Sequence, residues 1–253
     1  MASNPPGKCC VEGFYHEGTP SGKTSELYGL ETYVAGPESP KDGNVLVILT
    51  DVYGIKVNNV LLIADQLAAI SGYKVYVPDF LFGDEVGNDV VMMDGTFDVA
   101  GWLQRHNVEK THGLVNGFLT SLKSDVKPNK IGVIGYCFGA KYAIKQIDSE
   151  SGLADVAAVA HPSFVDIKEV EAIGKRPLLI SAAENDTIFP EELRRQTEDS
   201  LKKMGANYQL NIFGTVAHGF ACRGDLSVPQ VRYAQDKTIE DQVSFFKFYF
   251  NNV

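Results

Sequence analysis

The sequence predicts an α/β fold, a mostly parallel central sheet with helices on both faces. Three observations carry that prediction. Short apolar, β-branched runs recur along the chain, segments with apolar residues at helical spacing separate them, and one strand-turn-helix junction reads Gly135-Tyr136-Cys137-Phe138-Gly139. A chain of 253 residues can bury a sizeable core, and in this class residues 1–253 are expected to form one domain.

Taken in order, the segment through about Ser25 is rich in Gly, Pro and Ser and is expected to wrap over the surface as irregular chain. Leu30–Ala35, Val45–Thr50, Lys74–Pro78, Lys130–Gly135, Asp155–Ala160, Leu178–Ala183 and Tyr208–Phe213 read as strands. Asn58–Ile70, Phe97–Gln104, Leu114–Leu122, Glu191–Met204 and Thr238–Phe250 read as helices, and the pattern implies right-handed crossovers. Phe80–Asp94, with two glycines and several acidic residues, reads as a loop over the sheet and a candidate lid. The aromatic run Phe245–Phe250 reads as one face of a terminal helix docked on the sheet rather than as a greasy surface patch.

Composition narrows the partner. A formal net charge of -9 with no block of Lys and Arg argues against nucleic acid or an anionic membrane and favours a small molecule. The four cysteines, Cys9, Cys10, Cys137 and Cys222, are too few for a disulfide scaffold, and no C-x-x-C pair suggests structural zinc. Cys9 and Cys10 are adjacent, which disfavours chelation by both, so neither metal nor organic cofactor is expected. Met1–Lys8 lacks the apolar stretch of a signal peptide and no run is long enough to span a bilayer, so a cytoplasmic protein is expected, as a monomer or weak homodimer.

The junction at Cys137 carries the chemistry. Lys130–Ile134 is strand-like, Ala140–Lys145 is a helix start, and the glycines at 135 and 139 let the chain turn sharply and the helix pack close. The central side chain then projects from the carboxyl end of the sheet. Serine is the usual occupant; cysteine is intrinsically the stronger nucleophile and acts as its thiolate. A nucleophile there calls for an acid and then a histidine after later strands. Asp186 follows the strand Leu178–Ala183, and His218 follows Tyr208–Phe213. His218 would take and return a proton while Asp186 fixes its tautomer.

An oxyanion hole needs two aimed donors. The backbone N–H of Phe138 and that of Val52, in Thr50-Asp51-Val52-Tyr53-Gly54 after an early strand, are the candidates. His161 also follows a strand; it precedes the acid and so fits the base poorly, but it is a candidate lining residue. His16, His106 and His112 lack a matching turn.

Gly135–Gly139, Ala183-Glu184-Asn185-Asp186, Ala217-His218-Gly219-Phe220 and Thr50–Gly54 together resemble the dienelactone hydrolase (carboxymethylenebutenolidase) family, and Cys9-Cys10 through Gly22 resembles its fungal branch. The resemblance implies an α/β-hydrolase fold and a Cys-Asp-His triad that opens cyclic enol-lactones through an acyl-thioenzyme. It also implies a thiol-modulating acid at Asp51, one methylene shorter than the family's usual Glu, with a loop-capping Asx turn as the alternative. Arg223 matches one of the family's carboxylate-binding arginines. The other is missing from Tyr76–Gly83, where Phe80, Leu81 and Phe82 make the expected pocket more apolar. A cysteine-dependent hydrolase of a small ester or lactone is the first reading. A redox-sensing or metabolite-binding relative without turnover, or an acyl transferase, are the alternatives.

Overall fold

A computed structural model describes residues 1–86 and 97–252. Its strands are β1 (Lys23–Leu27), β2 (Leu30–Ala35), β3 (Val45–Leu49), β4 (Lys74–Pro78), β5 (Ile131–Tyr136), β6 (Val156–Ala160), β7 (Leu178–Asn185) and β8 (Tyr208–Ala217). They form one sheet in the order β1-β2-β4-β3-β5-β6-β7-β8. The pairs β1–β2 and β2–β4 are antiparallel, and every other pair is parallel. The helices are α1 (Asn58–Ser71), α2 (Val99–Arg105), α3 (Val108–Val126), α4 (Gly139–Gln146), α5 (Ile167–Ala172), α6 (Glu191–Met204), α7 (Phe220–Arg223) and α8 (Pro229–Asn252).

The central strands are buried on both faces, which is why they read as unbroken apolar runs. Side chains alternate across the sheet: Val45, Val47 and Leu49 join one core with Phe118, Ile144 and Leu201, while Leu46 and Ile48 join a second with Leu67, Ile239 and Val243. Phe245, Phe246 and Phe250 of α8 are buried in that second core, so the aromatic run docks on the sheet. Among the described residues no helix is long and apolar enough to cross a membrane.

Several elements differ from the sequence reading, each for a local reason. β1 was not expected: Lys-Thr-Ser-Glu-Leu is an almost fully exposed edge strand with no apolar face, held by a hairpin whose Tyr28 and Gly29 both have positive φ. α3 starts six residues earlier than its apolar pattern, because the Asn107 side chain caps it by accepting from Lys110 N–H at 3.0 Å. α8 begins at Pro229, a residue suited to a first helical turn. Residues 87–94 of the expected lid lie outside the described residues.

The opening segment is not merely a surface wrap. Ala2, Ser3 and Cys10 are buried, a 3-10 turn spans Lys8–Val11, and the chain crosses the carboxyl edge of the sheet before β1. Ala2 and Ser3 N–H donate to Val165 C=O, Asn4 N–H donates to Ile188 C=O, and Phe14 N–H donates to Arg223 C=O. We call this segment the strap.

Candidate active site

Parallel pairing brings the ends of five strands to one edge. In the β3–β5 ladder Leu49 lies opposite Gly135, so the Thr50–Val52 loop emerges beside Cys137; in β5–β6, Tyr136 lies opposite Ala160, so His161 emerges on the other side. β7 leads into Asp186 and β8 runs straight to Ala217, one residue before His218. Ligand sites of open α/β sheets form outside these carboxyl ends.

Cys137 is held at φ 49°, in the left-handed region a non-glycine residue visits at a cost of about 1–2 kcal/mol. The turn is kept by close packing. A Cβ at Gly135 would lie 2.5 Å from Ala140 Cα, and one at Gly139 would strike the Leu49 and Thr50 carbonyl groups. The glycines are needed for space at the crossing of β5, α4 and β3. Cys137 N–H donates to Ala160 C=O at 3.2 Å and its C=O accepts from Ser163 N–H at 3.1 Å, so the strained residue is pinned on both sides.

The three predicted side chains meet. His218 Nδ1 lies 2.8 Å from Asp186 Oδ2 and 3.0 Å from Oδ1, and its Nε2 lies 3.2 Å from Cys137 Sγ. Asp186 is fixed by accepting from Ile188 N–H at 2.8 Å and Phe189 N–H at 3.0 Å. Electrostatics follow from this chain of contacts. Burial pushes the Cys137 thiol up, but a hydrogen bond from Cys10, the charge of His218, and hydrogen bonds from His161 and His218 outweigh it and hold Cys137 well below an ordinary thiol. Burial alone would lower His218; the Cys137 charge and the hydrogen bonds with Asp186 and Cys137 raise it to about 9. Burial raises Asp186, and the His218 interaction with the two N–H donors brings it below the usual carboxylate range. Both shifts run in the direction that favours a buried thiolate–imidazolium pair.

Val52 and Phe138 are both buried, and among the described residues neither backbone N–H has an acceptor. Unpaired buried N–H groups are rare and suit donors kept for a developing oxyanion.

The remaining candidates land differently. Asp51 Oδ2 accepts from Arg223 Nη1 at 2.6 Å and from the Cys222 thiol at 3.2 Å, while Oδ1 accepts from Tyr53 N–H at 3.0 Å, the Asx-turn geometry. Its carboxylate is thus committed to Arg223 and Cys222. Arg223 is itself buried, and it donates further to Glu12 C=O at 2.8 Å and Cys9 C=O at 3.2 Å. Its guanidinium ties the strap to the loop after β3 instead of facing open space. Phe82 is 65% exposed, on the outside of its loop.

His161 is fully buried, edge-on to the His218 ring at 5.0 Å and 3.7 Å from Cys222 Sγ. Burial lowers it to about 4, so it stays neutral and lines the site.

Two neighbours of the thiolate escaped the sequence reading. Ser163 Oγ lies 3.6 Å from Cys137 Sγ, and Cys10 Sγ lies 3.5 Å from His218 Nε2. Ser163 shares the post-β6 loop with His161, a proximity signal that was legible. Cys10 had only its place in the segment resembling the fungal branch. The Cys10, Cys137 and His218 donor atoms all lie within 4.8 Å of one another. A cavity of about 10 Å³ lies beside Asp51, Tyr53, Cys222 and Arg223.

This order of strands, turn and acid-histidine partners is that of the α/β-hydrolase class. The dienelactone hydrolase family model matches residues 30–250. The chain is 36% identical to hydrolase pyvD of Aspergillus violaceofuscus, covering 98% of this chain and 99% of that one, and 37% identical to hydrolase tropI of Talaromyces stipitatus, covering 98% of each. The crystal structure of a dienelactone hydrolase from Anabaena variabilis is similar in fold, with TM-score 0.63 and 12% identity over 92% of this chain and 99% of that one. The chain belongs to the dienelactone hydrolase family and is a hydrolase of that kind.

Proposed function

We propose that this protein hydrolyses a small ester or lactone through an acyl-thioenzyme, with Cys137 as nucleophile, His218 as acid and base, and Asp186 as the residue that orients it. The observation that carries the reading is His218 bridging Asp186 at 2.8 Å and Cys137 at 3.2 Å, with the cysteine in a left-handed turn. The Cys137 thiolate adds to the ester carbonyl, forming a C–S bond. The oxygen takes the negative charge toward the Val52 and Phe138 N–H groups. Collapse breaks the C–O bond, and the His218 imidazolium gives its Nε2 proton to the leaving oxygen. Neutral His218 then takes a proton from water, whose oxygen attacks the thioester. Expulsion of the thiolate restores the resting pair, and one water is consumed per ester opened.

Arg223 is already neutralised by Asp51, which favours substrates without a carboxylate over dienelactone itself. A thiolate beside a second buried thiol needs a reducing compartment, which supports the cytosol. A panel of aryl esters, lactones and thioesters assayed with wild type and Cys137→Ala tests the proposal. Wild type should turn over at least one class, and the variant should lose about 10⁴–10⁶-fold in kcat; equal turnover would sink the nucleophile assignment.

One observation favours a second reading. Cys137 is fully buried under the strap, as suits a thiol that senses or binds without turnover. Stoichiometric labelling of Cys137 with no turnover across the panel selects that reading, and products formed with added alcohols or amines select acyl transfer.

A further inference from the structure

We propose that Cys10, Cys137 and His218 form a binding site for a thiophilic divalent cation, Zn²⁺ in the first instance, that closes the strap over the nucleophile. The three donors come from parts of the chain that no local motif links: the strap, the turn after β5 and the end of β8. A tetrahedral ion with Zn–S near 2.3 Å and Zn–N near 2.0–2.1 Å holds its S and N donors about 3.5–3.8 Å apart. Here the Nε2–Sγ distances are 3.2 Å to Cys137 and 3.5 Å to Cys10, and all three atoms lie within 4.8 Å. Small shifts of side chains already in contact suffice.

The donor chemistry fits as well as the spacing. Two thiolates and an imidazole form a soft set that suits Zn²⁺ and disfavours Mg²⁺ or Ca²⁺. His218 presents Nε2 to the two sulfurs and turns Nδ1 to Asp186 at 2.8 Å, the carboxylate–histidine arrangement that fixes the tautomer of a metal-ligating imidazole. Three protein ligands leave a fourth position for water. Binding displaces the proton on His218 Nε2 and the proton on Cys10 into solvent; no electrons change hands.

The consequence comes from Cys10. Its sulfur also accepts from Gly7 N–H at 3.4 Å, within the strap turn. A cation on all three donors would cross-link strap to elbow and occupy the lone pairs that turnover needs. The effect on turnover rests on the hydrolase reading, whereas the binding itself does not.

The test uses the full chain, metal-stripped and kept reduced with a phosphine. Titration with Co²⁺ should produce a thiolate-to-cobalt charge-transfer absorption that saturates at one equivalent and is bleached by Zn²⁺. Cys10→Ser should abolish the band and weaken Zn²⁺ binding by at least the roughly 10–100-fold that losing an outer-shell partner costs, while Cys9→Ser and Cys222→Ser retain both. Should Cys10→Ser fold poorly, mapping on wild type decides: Zn²⁺ should protect Cys10 and Cys137 from alkylation and leave Cys9 labelled. Absence of the band, its survival in Cys10→Ser, or equal labelling of Cys10 and Cys137 with and without Zn²⁺ overturns the site. Loss of ester turnover in metal-free protein bears only on the hydrolase reading; Zn²⁺ binding without inhibition of an active enzyme overturns the closing role.

Discussion

Cys137 and Cys222 are both buried cysteines, each within reach of a carboxylate–cation pair, yet one is held well below an ordinary thiol and the other well above it. At Cys137 the partner nearest the sulfur is the cationic ring, since His218 stands between it and Asp186. At Cys222 the nearest partner is the carboxylate, which accepts the thiol proton at 3.2 Å, while Arg223 Nη1, 2.6 Å from the same Asp51 oxygen, lies farther from the sulfur at 3.8 Å. Burial, then the Asp51 charge, pushes Cys222 well above an ordinary thiol. The same three kinds of group give opposite outcomes because their order is reversed. Activation depends on which member of the pair lies nearer the sulfur.

The largest expected effect that sharpens this contrast is at the acid. Asp186→Asn keeps the shape but leaves His218 without its orienting charge, and kcat should fall by about 10⁴. Alkylation of Cys137 at neutral pH should slow in parallel while Cys222 stays inert. A variant with near-normal kcat would break the comparison, because Asp186 would then not set the order of charge.

The pH dependence is the next test. Cys137 should alkylate at neutral pH at a rate set by the strap, and slow further only as pH falls through its lowered value, where the thiolate gains a proton. As pH rises through about 9 His218 loses its proton; alkylation should persist, whereas turnover should decline because the leaving oxygen no longer finds an acid. Cys222 should label only at higher pH or after unfolding. Parallel profiles for labelling and turnover above pH 9 would contradict the imidazolium role.

A smaller effect comes from the strap. A Cβ at Gly13 would sit 2.7 Å from Arg223 Cδ and 2.8 Å from its Cβ, so Gly13→Ala should force strap and arginine apart. Overpacking of this kind costs about 1–3 kcal/mol. The variant should melt earlier and label faster at Cys137. Unchanged labelling would mean that the strap does not control access.

The parts of the site that could be read from the sequence are those tied to strand ends. Cys137, Asp186 and His218 each follow an apolar strand, and a parallel sheet brings such ends together whatever their separation in the chain. The positions of Phe138 and Val52 follow from the same strand ends. The roles of Asp51 and Arg223 were not, because position in a loop does not reveal competition. Arg223, 172 residues away, takes the Asp51 carboxylate that was expected beside Cys137. The strap was hidden by its own composition: a Gly- and Pro-rich segment has no periodicity to mark which side chain turns inward, so Cys10 read as incidental. β1 was missed because its residues face solvent, and the six-residue α5 because it is too short to show a helical repeat.

The account rests on the Cys137 sulfur carrying the acyl group. Mixing wild type with p-nitrophenyl acetate, quenching in acid and mapping peptides by mass spectrometry tests this most directly. The account predicts an acetyl adduct on the peptide containing Cys137, formed within the burst of nitrophenol release and lost on standing. Turnover with no adduct on Cys137, or with the acetyl group on another residue, would contradict it.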